Sequence, residues 1–132
     1  MSKNNFKTRI TLAGRYINDS MTEIIKKKIV NELNRVDPNN IKKVLICGLS
    51  YKKNVADLRN SLSLKIFNKL KNKNKKIKGY DPLIDIKYAK KNSLITRSQD
   101  FLNFDVYILL TKHSILEKKI KKLKNKIVIN PL

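Results

Sequence analysis

The sequence has little of the residue types that build cross-links, metal sites and dinucleotide loops. There is one cysteine among its 132 residues, Cys47, so no disulfide can form within the chain, which fits a reducing, cytosolic compartment. The one histidine, His113, has no metal-ligating neighbours, and we expect it at a surface turn. The three glycines form no G-x-G-x-x-G string, which excludes a dinucleotide fingerprint. No apolar run reaches the roughly 18 residues of a membrane span, and Met1–Ile10 lacks an apolar signal core, so we expect a cytoplasmic protein with no membrane partner.

Acidic residues are also scarce. Ten Asp and Glu stand against 31 Lys and Arg, which gives a formal net charge of +21. Such an excess is typical of nucleic-acid-binding proteins. The basic residues, however, fall on nearly every predicted helix and turn instead of clustering on one, as drift in composition would produce. We therefore expect no specific nucleic-acid partner, only salt-sensitive, non-specific binding to polyanions.

Residues 42–70 have the pattern of a buried strand, a loop and a crossover helix. A dense apolar run, Val44–Cys47, stops at Gly48, and apolar residues return after a polar stretch with helical spacing at Leu62, Ile66, Phe67 and Leu70. Either Asn60 or Ser61 is suited to cap this helix. Ligands of open α/β sheets bind beyond the carboxyl ends of the strands, so we expect binding at the loop Leu49–Arg59.

The rest of the chain alternates short apolar runs with polar, helical ones. Strands are predicted at Lys43–Gly48, Ile77–Tyr80, Leu94–Thr96, Val106–Thr111 and Lys126–Asn130. Helical segments are predicted at Ile84–Lys91, Phe101–Phe104 and Ile115–Leu123. This order predicts an α/β fold, a Rossmann-like three-layer parallel sheet preceded by a long N-terminal helical segment. We place the helical segment at residues 1–40 and the α/β domain at residues 41–132.

The N-terminal helical segment has an apolar face between Ala13 and Arg35, and residues 1–12 resemble a frayed lead-in. It is either one helix or two, with Ser20 as the cap of the second. We expect its stripe of Tyr16, Ile17, Ile24 and Ile25 to lack a partner within the chain and to promote self-association.

The loop after the first strand offers cations to an anionic ligand. Lys52 and Arg59 lie seven residues apart across a polar turn, an arrangement that suits a diphosphate. Each close ion pair is worth about 4 kcal/mol in an effective dielectric near 20, before desolvation is subtracted. Arg59 also precedes a helix, whose N-terminal N–H groups add positive potential. The alternative is that Lys52 and Lys53 are solvated and that Arg59 pairs with Asp57.

The string Gly48–Ser61, GLSYKKNVADLRNS, resembles a motif of the UDP-glucose/GDP-mannose dehydrogenase family, roughly G-L-[AS]-[FY]-K-x-[ND]-[VT]-x-D-[LT]-R-[ED]-S-P. Three flanking strings are similar to other segments of that family. Ala13–Met21 resembles the A-R-x-I-N-x-x-M segment of its central domain, Gly79–Pro82 its Y-D-P, and Asp105–His113 its D…T-x-[HW] strand and turn. The resemblance extends over nearly the whole chain.

The resemblance implies roles for individual residues. Tyr51 and Lys52 would bind the substrate, a UDP-sugar or GDP-sugar, and Arg59 would contact the cofactor NAD on another domain. Asp57 is expected to orient the loop. Asp81 would either accept a ribose hydroxyl or serve in an ordinary Asp-Pro turn. The family also implies that residues 1–40 end a central domain, that the protein is a homo-oligomer, and that it acts in polysaccharide biosynthesis.

The sequence departs from the family in ways that affect function. Family members are considerably longer, and their NAD-binding domain and catalytic cysteine have no counterpart here. Cys47 lies within an apolar run, so we expect a small buried hydrophobe. Asn60 and Leu62 replace the motif's Glu and Pro, and the family's closing D-x-R is not matched before Leu132. We therefore expect no catalytic residue, no metal site and no dehydrogenase activity from these residues alone.

Two functions remain open at this point. The first is the C-terminal nucleotide-sugar-binding portion of an NAD-dependent UDP-sugar 6-dehydrogenase, acting on UDP-glucose or a UDP-N-acetylhexosamine, with the N-terminal domain supplied in some cases as a separate chain. The second is a stand-alone module that binds nucleotide sugars or polyanions without catalysis. The residues do not indicate which sugar would be bound.

Overall fold

The computed structural model describes residues 3–72, 76–85, 87, 91 and 98–132, with side chains from residue 19 onward except those of 98 and 99. The predicted strand Leu94–Thr96 and half of the predicted helix Ile84–Lys91 lie outside the described residues. No helix in the described part of the chain is both long and apolar enough to cross a membrane.

The described elements alternate as predicted. They are α1 (Lys3–Val36), β1 (Val44–Cys47), α2 (Leu62–Lys71), β2 (Ile77–Tyr80), a 3₁₀ helix (Ser98–Leu102), β3 (Val106–Leu109), α3 (Ser114–Lys121) and β4 (Ile127–Ile129). The four strands form one parallel sheet in the order β2-β1-β3-β4. The predicted α/β, Rossmann-like fold is confirmed.

Helical layers cover both faces of the sheet, which explains why β1 is apolar at every position. Val44 and Ile46 face the layer that contains α1 and α2. Leu45 and Cys47 face the other layer, which contains the 3₁₀ helix and α3. Successive side chains of a strand point to opposite faces, so one short strand contributes to both cores. On the second face, the Tyr107 hydroxyl donates to the carbonyl of Phe101 and ties β3 to the 3₁₀ helix.

Helix α1 differs from the expectation in three respects. It begins at Lys3 instead of Ala13, and it passes Ser20 without a break. Within the stripe that was predicted to lack a partner, Ile25 has one: it is 2% exposed and packs with Ile29 against the α2 side of the core, whereas the side chains of Tyr16 and Ile17 lie outside the described residues. The periodicity showed an apolar face but not that α2 would lie against it. Ile24, one position away on the helix, is 51% exposed.

Ion pairs fasten α1 to α2 along the same contact. The ammonium of Lys69 on α2 pairs with Glu23 on α1, and Lys65 lies 3.5 Å from the Asp19 carboxylate. The hydrogen bond from Lys69 lowers the pKa of Glu23. These pairs are exposed, so the apolar contact beneath them contributes more to the free energy of unfolding.

Candidate functional site

The sheet order places two loops at a topological switch point. From β1 the chain crosses to β2 on one side, while β3 lies on the other side of β1. The connections after β1 and β3 therefore lead toward opposite edges of the sheet, and ligands of such folds bind at this point, beyond the carboxyl ends of the strands. The loop after β1, residues 48–61, contains all three predicted site residues.

Gly48 allows these two loops to meet. Its φ is +85°, and a Cβ added there would lie 2.0 Å from the carbonyl oxygen of Thr111. Only glycine fits such a backbone and such an approach. The contact is held by Thr111 N, which donates to Gly48 O at 3.2 Å, while Gly48 N donates to Tyr80 O at the end of β2, at 2.9 Å.

Asp81 anchors the loop from the end of β2. Its side chain is fully buried, and one carboxylate oxygen, Oδ2, accepts from Leu49 N at 2.8 Å and from Ser50 N at 3.1 Å. The other oxygen accepts from Leu83 N at 2.9 Å. The carboxylate thus serves the protein's own backbone, which favours the turn interpretation of Asp81 over a ribose contact.

The expectation that His113 lies at a surface turn was wrong, since this residue is 0% exposed. Its Nδ1 accepts from Asn54 N at 2.8 Å. Its Nε2 lies 2.8 Å from Ser50 Oγ and 2.9 Å from Asp81 Oδ2. The signal that could have found this contact is the position of His113 just after the strand that neighbours β1, where the two loops must meet.

Buried hydroxyl groups complete the base of the loop. The Thr111 hydroxyl donates to Ser50 O at 2.7 Å and lies 2.8 Å from the hydroxyl of Ser63. Ser61 Oγ donates to Leu49 O at 2.6 Å and accepts from Leu64 N at 3.1 Å. Ser61 is therefore the cap of α2, and such a cap contributes about 1 kcal/mol.

The predicted binding residues lie on the exposed side of the loop. Tyr51 is 57% exposed, and Lys52 is also exposed. Tyr51 N donates to the carbonyl of Asp57 at 2.6 Å, while the Asp57 carboxylate pairs with Arg59 Nη2 at 3.1 Å. Asp57 also accepts from Arg59 N at 2.9 Å. Asp57 thus orients the loop as expected, and it links the Tyr51 end of the loop to the Arg59 end.

The pKa shifts in the loop and at the buried thiol of Cys47 have different causes. The side-chain hydrogen bond from Arg59 lowers the pKa of Asp57, and the same contact raises the pKa of Arg59. Burial, followed by the charge of Asp81, raises the pKa of the Cys47 thiol. A thiol in that environment is not a nucleophile, so the prediction that Cys47 behaves as a buried hydrophobe is confirmed.

Outside the loop, the described residues form a cavity but no cluster suited to a metal ion. No group of three or more His, Cys, Asp or Glu side chains that could hold a metal ion occurs among the described residues. A cavity of about 610 Å³ lies between the end of α1 and β4, but its lining, which includes Lys28, Arg35 and Ile129, contains no residue of the loop. The exposed surface of the loop is therefore the candidate site.

A model of the UDP-glucose/GDP-mannose dehydrogenase family, UDP binding domain, matches residues 45–131. The chain belongs to this family. The match includes the whole loop and all four strands except Val44 of β1, so the switch point lies within the family's UDP-binding domain. The resemblance inferred from the loop motif is thus confirmed, while the roles of Tyr51, Lys52 and Arg59 stay predictions.

Curated relatives come from two archaea. The UDP-N-acetyl-D-mannosamine dehydrogenase of Methanococcus vannielii is 32% identical over 126 residues, which cover 89% of this chain and 29% of the relative. The enzyme of the same name from Methanococcus maripaludis is 32% identical over 128 residues, again covering 89% and 29%. The chain thus spans less than a third of the length of these two relatives.

Solved structures agree on the fold. The native UDP-N-acetyl-mannosamine dehydrogenase of Staphylococcus aureus matches with a TM-score of 0.63 and 23% identity, covering 96% of this chain and 30% of that one. A UDP-D-ManNAc dehydrogenase of Pyrococcus horikoshii matches with a TM-score of 0.61 and 24% identity, covering 89% and 29%. At these identities the matches support the α/β architecture of the UDP-binding domain and nothing finer.

Proposed function

We propose that this chain is the nucleotide-sugar-binding portion of an NAD-dependent UDP-sugar 6-dehydrogenase. The observation that carries the proposal is the exposed loop with Tyr51, Lys52 and Arg59, held at the switch point of a sheet that belongs to a UDP-binding family. The names of the relatives make UDP-N-acetyl-D-mannosamine the first substrate to test, followed by UDP-glucose and GDP-sugars.

Lys52 is the residue best placed to bind the diphosphate. It is exposed, and no acidic side chain in the described part of the chain pairs with it. Its ammonium can therefore approach a phosphate without first breaking an ion pair. Tyr51, half-exposed beside it, offers a flat ring and a hydroxyl to the nucleotide or the sugar.

Arg59 is suited to reach a second anionic group. Its side chain is 88% exposed, and Asp57 occupies only one side of the guanidinium. The open side fits a phosphate of NAD held on another domain. NAD would accept hydride from the sugar when bound. The loop after β1 has a single glycine and no dinucleotide fingerprint, so we assign most NAD contacts to residues outside these 132.

The remaining assignments follow from the family. We propose that residues 1–40 end a central helical domain and that residues 41–132 form the nucleotide-sugar-binding domain. The NAD-binding domain would belong either to a longer form of the same polypeptide or to a separate chain. The complete enzyme would be a cytoplasmic homo-oligomer that acts in polysaccharide biosynthesis.

A second candidate function is binding without catalysis. The net charge of +21 favours it, because a chain with this excess of lysine attracts nucleotides and other polyanions without a dedicated site. The two functions differ in whether the loop or the total charge determines affinity.

A titration with two matched lysine variants tests the proposal. We expect UDP-N-acetyl-D-mannosamine to bind weakly, near the millimolar range or about 4 kcal/mol, because only part of the site is encoded here. Lys52→Ala should weaken binding by about 1–3 kcal/mol, the scale of a lost charge-assisted hydrogen bond. Lys121→Ala removes an exposed charge from the end of α3 and should change affinity little. The affinities are measured by calorimetry at moderate salt. Equal losses of affinity in the two variants would mean that net charge, and not a site on the loop, determines binding.

A further inference from the structure

The hydrogen bonds around His113 define the tautomer of its ring. A backbone amide can only donate, so Nδ1, 2.8 Å from Asn54 N, must be an unprotonated acceptor. The Ser50 hydroxyl donates to the carbonyl of Lys52 at 3.4 Å, which directs its lone pairs to Nε2. Nε2 therefore carries the proton and shares it between Ser50 Oγ and Asp81 Oδ2.

Two of the three residues that hydrogen-bond to the ring enclose the predicted ligand residues. Ser50 lies immediately before Tyr51, and Asn54 immediately after Lys53. Between them the chain makes a tight turn, in which Val55 N donates to Lys52 O at 3.2 Å. The ring thus spans the base of a turn whose exposed tip carries Tyr51 and Lys52.

Asn54 has a left-handed backbone conformation. Its φ is +62°, in a region that asparagine adopts more readily than most residues with a side chain. Besides the amide bond to His113, its side chain exchanges two hydrogen bonds with Ser114 at the start of α3, at 2.9 and 3.1 Å. The conformation of the turn is therefore fixed by hydrogen bonds to the loop after β3 and to the first residue of α3.

We propose that His113 is a positioning residue for nucleotide-sugar binding. Asp81 engages the Nε2–H side of the ring, so Nδ1 faces the turn as an acceptor for the Asn54 amide. That bond sets the direction in which Tyr51 and Lys52 face the ligand, although His113 itself is fully buried and touches no ligand. The proposal rests on the proposed function only for the identity of the ligand. The conformation of the turn does not depend on that function, because the turn has this conformation in the free chain.

Two substitutions separate the two ring nitrogens. His113→Asn can place an acceptor oxygen near the position of Nδ1, whereas His113→Gln can place a donor near Nε2 but leaves the Asn54 amide without an acceptor. We expect His113→Gln to weaken UDP binding about tenfold, the scale of one lost hydrogen bond, and His113→Asn to weaken it about threefold or less. Amide exchange at Asn54 should follow the same order. A ring that served only as packing would give the two variants equal affinities and equal exchange rates.

The unsubstituted chain provides a test that does not depend on how the variants fold. His113 is the only histidine, so its two ring ¹⁵N resonances are assigned without ambiguity. We expect the pattern of a ring with the proton on Nε2 and none on Nδ1, together with slow exchange of the Asn54 amide, before any ligand is added. A protonated Nδ1, or an Asn54 amide that exchanges as fast as an exposed one, would overturn the proposal. Absence of UDP binding with the tautomer intact would instead refute the proposed function.

Discussion

Replacing Gly48 by alanine should destabilise the protein strongly. The left-handed backbone costs alanine about 1–2 kcal/mol. The added Cβ would lie 2.0 Å from Thr111 O, so the two loops must separate, at a cost of about 1–3 kcal/mol for overpacking. Loss of the hydrogen bond from Thr111 N to Gly48 O adds about 1 kcal/mol. The expected loss is therefore about 3–6 kcal/mol, a large share of the 5–15 kcal/mol typical of a domain.

Urea unfolding followed by circular dichroism measures this loss, with Asn125→Ala as the matched control. Asn125 also has a left-handed backbone, with φ of +61°, but it lies in an exposed turn after α3. Alanine there carries the backbone cost of about 1–2 kcal/mol without the collision. At an m-value near 2 kcal/mol per molar, Gly48→Ala should lower the unfolding midpoint by about 1.5–3 M. Equal shifts in the two variants would refute the close contact between the loops.

Three further predictions concern the core, the loop charges and catalysis. Ile25→Ala should destabilise the chain by about 2–5 kcal/mol in the same urea assay. Ile24→Ala, on the exposed side of α1, should change the free energy of unfolding by no more than about 0.5 kcal/mol. Similar losses in the two variants would contradict the packing of α1 on α2. The pKa of Asp57 lies below its usual value of 3.8, so its pairing with Arg59 is complete above that pH and is lost as the pH falls through the lowered pKa. Arg59→Ala should raise the pKa of Asp57, which a carboxyl ¹³C NMR titration measures. An unchanged pKa would exclude the pairing. The 132-residue polypeptide should not reduce NAD with UDP-N-acetyl-D-mannosamine or UDP-glucose, because the only thiol, Cys47, is buried and no hydride-acceptor site is encoded. Turnover that depends on a cysteine would contradict this prediction.

The local parts of the site could be predicted from the sequence. The apolar run ending at Gly48, the polar loop and the helical spacing from Leu62 all concern neighbours along the chain, and their elements lie where they were predicted. Ser61 was one of two proposed caps, and the structure distinguishes it from Asn60 by the left-handed φ of +55° at the latter.

The long-range parts could not be predicted in the same way. The burial of His113 depends on β3 pairing with β1, which brings together residues 59 positions apart. A lone histidine after a strand is equally compatible with solvent until the order of the sheet is known. The packing of Ile25 was missed for the same reason, because the periodicity of α1 reveals an apolar face and not the element that covers it.

The fastening of the loop by the chain after β3 has a consequence for synthesis on the ribosome. When only the residues up to Asp105 have emerged, the nascent chain already contains the whole loop sequence, yet it lacks Thr111 and His113, which hold that loop in shape. Pairing of distant parallel strands is also among the slower steps of folding. The loop after β1 therefore acquires its form late, after β3 has joined the sheet, and folding intermediates that lack this strand contain the predicted binding residues without the surface that presents them.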